Sequence, residues 1–211
     1  MLITSHMVWG YVFGKAIGRY QRLRPSIPLL LLMGALPDFD LFLRQPYGTL
    51  FGHHGISHSW LVIGLLSIPF FYKFGKQAAP YFVAVIQHPL FGDLTANQIP
   101  LRFPLTLSED GLRMFEWVPQ AAIASEILGF AIFLFLFISA RDWKHALRSG
   151  WDKLWLVLWL PVLGLTAAQA VWYFEPSPAT LVYSVYAMIS TVFLAVAALM
   201  MVLHSRQLEA E

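Results

Sequence analysis

The chain contains no cysteine. Disulfides and thiolate metal sites are therefore excluded, and any metal must be held by His, Asp and Glu. Charge is scarce as well: only 12% of the 211 residues are charged, against 58% hydrophobic. Soluble domains carry about 25% charged residues, and 211 residues lack the volume to hide so much apolar side chain beneath a thin polar skin. No basic run with interleaved aromatics is present, which excludes a nucleic-acid surface. No internal repeat, low-complexity tract or period-2 alternation of a β-barrel appears. The N-terminus lacks the layout of a cleavable signal: Lys15, Arg19, Arg22 and Arg24 follow the first apolar stretch, and no small-residue cleavage site comes after it. The expectation is a retained first helix.

What is present is a series of apolar stretches, with mean hydropathy of +0.62 over the chain. Three of them, 119–140, 152–174 and 179–203, reach the roughly 20 residues that cross a bilayer as a helix. A fourth, 58–73, is slightly short. Three more, 5–20, 27–37 and 78–92, are shorter still and suit tilted or re-entrant helices inside a bundle. The pattern predicts an all-α polytopic membrane protein of about seven membrane helices. It forms one domain, 1–211, with a polar-residue half, 1–118, and three long helices, 119–211.

Counting all seven stretches as crossings, with the N-terminus outside, puts 11 of the 14 basic residues inside: Lys15, Arg19, Arg22, Arg24, Lys73, Lys76, Arg141, Lys144, Arg148, Lys153 and Arg206. Only Arg44, Arg102 and Arg113 remain outside. The positive-inside rule therefore predicts an external N-terminus and a cytoplasmic C-terminus. The same topology gathers His6, Asp38, Asp40, His53, His54, His58, His88, Asp93 and Glu126 on the outer side. Five of the seven histidines are in this set, and none of them entered the charge argument.

Taken singly, each piece has an ordinary structural explanation. Pro37-Asp38-Phe39-Asp40 suits a helix stop with an Asx turn. His53-His54-Gly55-Ile56-Ser57-His58-Ser59 suits a polar loop with Ser57 or Ser59 capping the next helix. His6 alone suits an interfacial position. Glu126 is different, because a carboxylate within an apolar helix costs a few kcal/mol and normally faces a partner or a cavity. Together the imidazoles and carboxylates form a donor set for a divalent ion. Imidazole suits zinc, iron or nickel, and carboxylate adds tolerance for manganese or magnesium; the set exceeds the needs of one ion, so one or two are expected.

These motifs resemble the YdjM-like family of inner-membrane proteins, described as membrane-bound metal-dependent hydrolases. The family pattern is an early His, Pro-Asp-x-Asp, His-Arg-Gly-x-Thr-His-Ser, then a His-x-x-x-Asp helix running into a Thr and a Pro-Leu-x-x-Pro turn. Here the matching elements are His6, Pro37 to Asp40, His53 to Ser59, His88 with Asp93 and Thr95, and Pro100 to Pro104. The likeness covers about the first half of the chain. A more distant similarity reaches the zinc-dependent phospholipase C group, which uses similar ligands. The resemblance implies a membrane hydrolase acting on a phosphoester or lipid-linked substrate through metal-activated water. Asp38, Asp40, His53, His58 and Asp93 would be ligands. His6, His88 and Glu126 are candidates for the remaining positions, and Glu126 or His54 for proton transfer. A metal transporter, a structural ion site or an interface in a larger complex are the other readings.

The chain departs from that pattern in three places. His54 replaces Arg, Ser57 replaces Thr, and His88 and Asp93 are five residues apart instead of four. Four apart shares one helical face; five apart rotates the second residue by roughly 140° on an ideal helix. A break at Pro89, by a kink or a new helix start, is the expected remedy.

Overall fold

The computed structural model describes residues 1–43, 45–46, 49–144, 147, 150–172 and 178–210. Arg44 and Arg148, used in the sequence reading, lie outside them. In chain order the helices are α1 (Ile3–Tyr20), α2 (Ile27–Ala35), α3 (Trp60–Phe74), α4 (Ala79–Gln87), the short α5 (Leu94–Ala96) and α6 (Met114–Trp117), α7 (Pro119–Ser139), α8 (Gly150–Val157), α9 (Trp159–Trp172) and α10 (Pro178–Ala210). Leu36–Leu43 and Ile56–His58 are 3₁₀ segments, and His88–Asp93 is a π-helical turn. Among the described residues the only strand-like pairing is an isolated bridge between Ile99 and Asp110. The described residues are all-helical in class, and each predicted apolar stretch is helical where it is described.

Helical form does not make each stretch a crossing. Among the described residues, Trp151–Ala168 and Ser184–Leu203 are long and apolar enough to cross a membrane, and Ile123–Ser139 is a shorter apolar helix. The 9-residue α2 and α4 rise only about 14 Å each, under half of a hydrocarbon core.

Helix α1 is the hub, packed against α2, α4 and α7. It approaches α2 backbone to backbone. A Cβ on Gly10 would lie 2.6 Å from the Gly34 Cα, and one on Gly34 would lie 2.2 Å from the His6 carbonyl oxygen. Glycine at both positions permits the close packing common between membrane helices. The core around α1 holds Met7, Tyr11, Leu30, Leu31, Phe133 and Leu194. Polarity is inverted relative to a soluble domain: His6, Asp38, Asp93 and Glu126 are buried, whereas Leu65, Ile68, Phe135, Met188 and Val192 are exposed. Exposed apolar surface on this scale marks contact with lipid or with another protein.

Candidate metal centre

The site is built where α1, the segment after α2, the loop before α3 and the end of α4 converge. Pro37 ends α2 and the chain tightens into the 3₁₀ segment that carries Asp38 and Asp40. His54 takes a left-handed conformation, φ +64°, which turns the loop so that His53, His54 and His58 form one ring cluster. Their centroids lie 4.2 to 5.0 Å apart. Ser59 caps α3, its hydroxyl accepting from the Val62 amide, and so fixes His58 at the helix entrance.

The five-residue spacing of His88 and Asp93 is resolved by the π-turn and not by a break at Pro89. Within it the Leu94 amide bonds to the Pro89 carbonyl, five residues back. A wider turn of i→i+5 bonds brings residues five apart onto nearly the same side. The His88 Nε2 and Asp93 Oδ2 atoms are 3.2 Å apart as a result. The extra residue is absorbed locally, and α4 continues into α5.

Four side-chain atoms form a ring of alternating nitrogen and oxygen. His88 Nε2 lies 3.3 Å from Asp38 Oδ1 and 3.2 Å from Asp93 Oδ2; His58 Nε2 lies 3.6 Å from Asp38 Oδ1 and 3.4 Å from Asp93 Oδ2. His88 Nδ1 is 2.7 Å from the Gly34 carbonyl, which can only accept, so Nδ1 carries the proton. In the neutral ring, Nε2 then presents a lone pair to two carboxylates. His58 repeats this arrangement, with Nδ1 3.2 Å from Asp40 Oδ2. His58 Nε2, His88 Nε2 and Asp93 Oδ2 are buried without hydrogen-bond partners. Opposed acceptors repel unless a proton or a metal cation lies between them. Ligands about 2.1 Å from a tetrahedral ion are separated by about 3.4 Å, whereas charge-assisted hydrogen bonds are about 2.8 Å. The four nitrogen–oxygen separations of 3.2 to 3.6 Å are nearer the first spacing than the second. The buried His/Asp groups could hold a metal ion.

Two further groups adjoin this one. His6, His88 and Asp93 offer ligand atoms within 4.8 Å of one another, as do His53, His54 and His58. Asp93 joins them: its Oδ1 is 3.6 Å from His6 Nε2 and 3.8 Å from His54 Nε2. The His6 and His88 rings stack at 3.5 Å. Asp40 is placed differently. Its Oδ1 is 2.9 Å from His53 Nδ1, and its Oδ2 accepts from Ser57 and faces His58 Nδ1, so both oxygens are engaged by the loop.

The electrostatics follow from this crowding. Burial pushes the Asp38 and Asp93 carboxyls up, but the neighbouring imidazoles outweigh it and hold both well below the usual carboxylate range. Asp40 is likewise raised by burial but held at about 2 by His53 and His58. Burial lowers His54 to about 3, so its ring is neutral.

Glu126 falls in none of the three groups. Its Oε1 accepts the Leu2 amide at 3.1 Å, and its carbonyl accepts from the Tyr186 hydroxyl at 3.0 Å. Gly34 and Gly92 were not legible as site residues, and Ser57 was legible only as a helix cap and as the counterpart of the motif threonine. Gly34 acts through a backbone carbonyl, which sequence does not display. Gly92 is signalled only as an isolated glycine in a helical stretch. A Cβ there would lie 2.3 Å from the His6 ring.

The profile of a family described as YdjM inner membrane protein matches residues 1–203. The chain belongs to the YdjM family. It is thus an inner membrane protein, in keeping with its apolar helices. The match extends across α7 to α10, well beyond the half of the chain in which the YdjM motifs are found. No curated protein and no solved structure matches it.

Proposed function

We propose that the chain is a membrane-embedded metal-dependent hydrolase acting on a phosphoester or lipid-linked substrate. The observation carrying this reading is the buried set on Asp38, His58, His88 and Asp93, in which three of the facing atoms have no hydrogen-bond partner and the nitrogen–oxygen separations are 3.2 to 3.6 Å. A divalent ion bound there supplies Lewis-acid activation of water. Zinc suits two imidazoles and two carboxylates best, with manganese or iron as alternatives. His6 and His54, facing the other oxygen of Asp93, would complete the set or hold a second ion.

The remaining residues have roles of their own. Asp40 and Ser57 fix the His58 ring, and the Gly34 carbonyl fixes His88, so both rings present Nε2 inward. The His53 side chain, 23% exposed and paired with Asp40, links the cluster to the surface. It is the group positioned to exchange protons with water. Buried His54 stays neutral and serves as a ligand or donor, while Glu126 anchors the start of α1. A mostly apolar cleft of ≈ 290 Å³ lined by Leu36, Phe39, Leu43, Phe51 and Ile56 reaches Asp40 and Ser57, a shape suited to the apolar part of a lipid-linked substrate.

In this reading the seven helical stretches are arranged about the membrane, with α2 and α4 short or re-entrant. The N-terminus is outside, the C-terminus cytoplasmic and the site toward the outer side, as the distribution of basic residues supports. The test is elemental analysis of purified protein, then a screen of phosphodiester and phospholipid substrates with and without chelator. Chelator-sensitive turnover is expected. Stoichiometric metal with no turnover, together with ion uptake into proteoliposomes, would instead identify a transporter.

A further inference from the structure

At the other end of α1 lies a second polar feature that the His/Asp cluster does not use. From His6 to Arg19 is roughly 20 Å along the helix. There a cleft of ≈ 460 Å³ opens between α1, the turn into α2, and the end of α7. Lys15, Arg19 and Arg24 line it on one side, with Leu136, Ser139 and Asp142 on the other. Lys15 is ion-paired with Asp142, and Tyr11 donates to the same carboxylate at 2.6 Å. Three cations therefore face one carboxylate, and Arg19 and Arg24 have no acidic partner among the described residues.

The turn carrying these arginines is fixed. Helix α1 closes with the Leu23 amide on the Gly18 carbonyl at 2.7 Å and the Arg22 amide on the Arg19 carbonyl at 3.1 Å. Arg22 adopts φ +58°, where glycine is usual. On the far side Ser26 is pinned: its amide donates to Tyr81 at 2.8 Å and its hydroxyl to Asp152. The backbone of both arginines is thus set before any ligand arrives. The α7 wall is apolar at Leu136, and its helical neighbours Phe135 and Ile138 are exposed, so the cleft opens beside a surface suited to acyl chains.

We propose that this cleft binds the phosphate of an anionic phospholipid headgroup. Guanidinium groups match phosphate oxygens in a bidentate fork, and basic pockets between membrane helices favour anionic lipids. Leu136 and the adjoining α7 surface take the glycerol and the start of the acyl chains, which a free phosphate ion would leave uncovered. The site is separate from the metal centre and does not depend on its chemistry.

The experiment titrates the purified full chain in detergent with dioleoyl phosphatidylglycerol or dioleoyl phosphatidylcholine and counts bound lipid by native mass spectrometry. Wild type should prefer phosphatidylglycerol, and Arg19→Gln with Arg24→Gln should lose roughly tenfold or more of that affinity, with metal content unchanged. Lys73→Gln with Lys76→Gln, outside the cleft, should retain it. If the double arginine variant aggregates, Ser139→Trp, which obstructs the cleft without altering charge, should show the same loss. Equal binding of the two lipids overturns the proposal. So does retention of binding in the arginine variant or in Ser139→Trp, an equal loss in the lysine variant, or full displacement of lipid by millimolar inorganic phosphate.

Discussion

Asp40 and Asp38 are two residues apart and both approach His53 and His58, but only Asp38 also faces His88 and only Asp40 is held by Ser57, and the difference sets what each substitution should do. Asp38 Oδ1 faces His58 and His88, whereas both Asp40 oxygens are held by His53, Ser57 and His58. Removing an inward group leaves the other buried charges uncompensated; removing a group that only orients a ligand weakens affinity. His88→Ala or Asp93→Ala should abolish most bound metal. Asp40→Asn should keep a measurable site with affinity lower by about 10–100-fold. Metal titration of purified variants checks this, and full occupancy in His88→Ala would remove His88 from the ligand set. Glu126 is a residue of a different kind. Glu126→Leu orphans the Leu2 amide and should cost about 1–3 kcal/mol of stability while leaving metal content unchanged. Thermal unfolding combined with elemental analysis reads both effects.

The π-turn at His88–Asp93 is the element on which the site depends. In an α-helix the five-residue spacing would put these side chains on different faces; the wider turn returns them to one. Deleting Leu90, which is exposed, should convert the turn to an ordinary α-turn with four-residue spacing and retain bound metal. Inserting one alanine after Leu90 should swing Asp93 away and lose it. Metal content of the two variants decides the matter. If the deletion loses the ion while the insertion keeps it, the π-turn is not what aligns the pair.

Across the whole molecule the question is sidedness. The basic residues predict cytoplasmic 15–26, 73–77 and 141–153, and external 38–57 and 93–118. Because the chain lacks cysteine, single cysteines can be introduced without background. One at Ser108 should react with an impermeant thiol reagent in intact cells, and one at Lys76 only after the membrane is opened. Ser149 and Gly48, in the same two classes of segment, lie outside the described residues and serve as additional positions. Labelling of Lys76 but not Ser108 in intact cells would invert the orientation and move the metal centre to the cytoplasmic side.

The sequence by itself determined the helical class, the apolar stretches and the identity of the polar set, because hydrophobic run length and residue chemistry are local properties. It also singled out the histidines and aspartates that cluster. Tertiary structure decided which of them meet. The close approach of α1 and α2 at Gly10 and Gly34 sets His6 against His88. The π-turn brings Asp93 back to His88, and the loop gives Asp40 to His53 and Ser57. Glu126, equally buried and equally acidic, is taken by the start of α1. Burial made each of these polar groups seek a partner, but only the three-dimensional path of the chain selected which one.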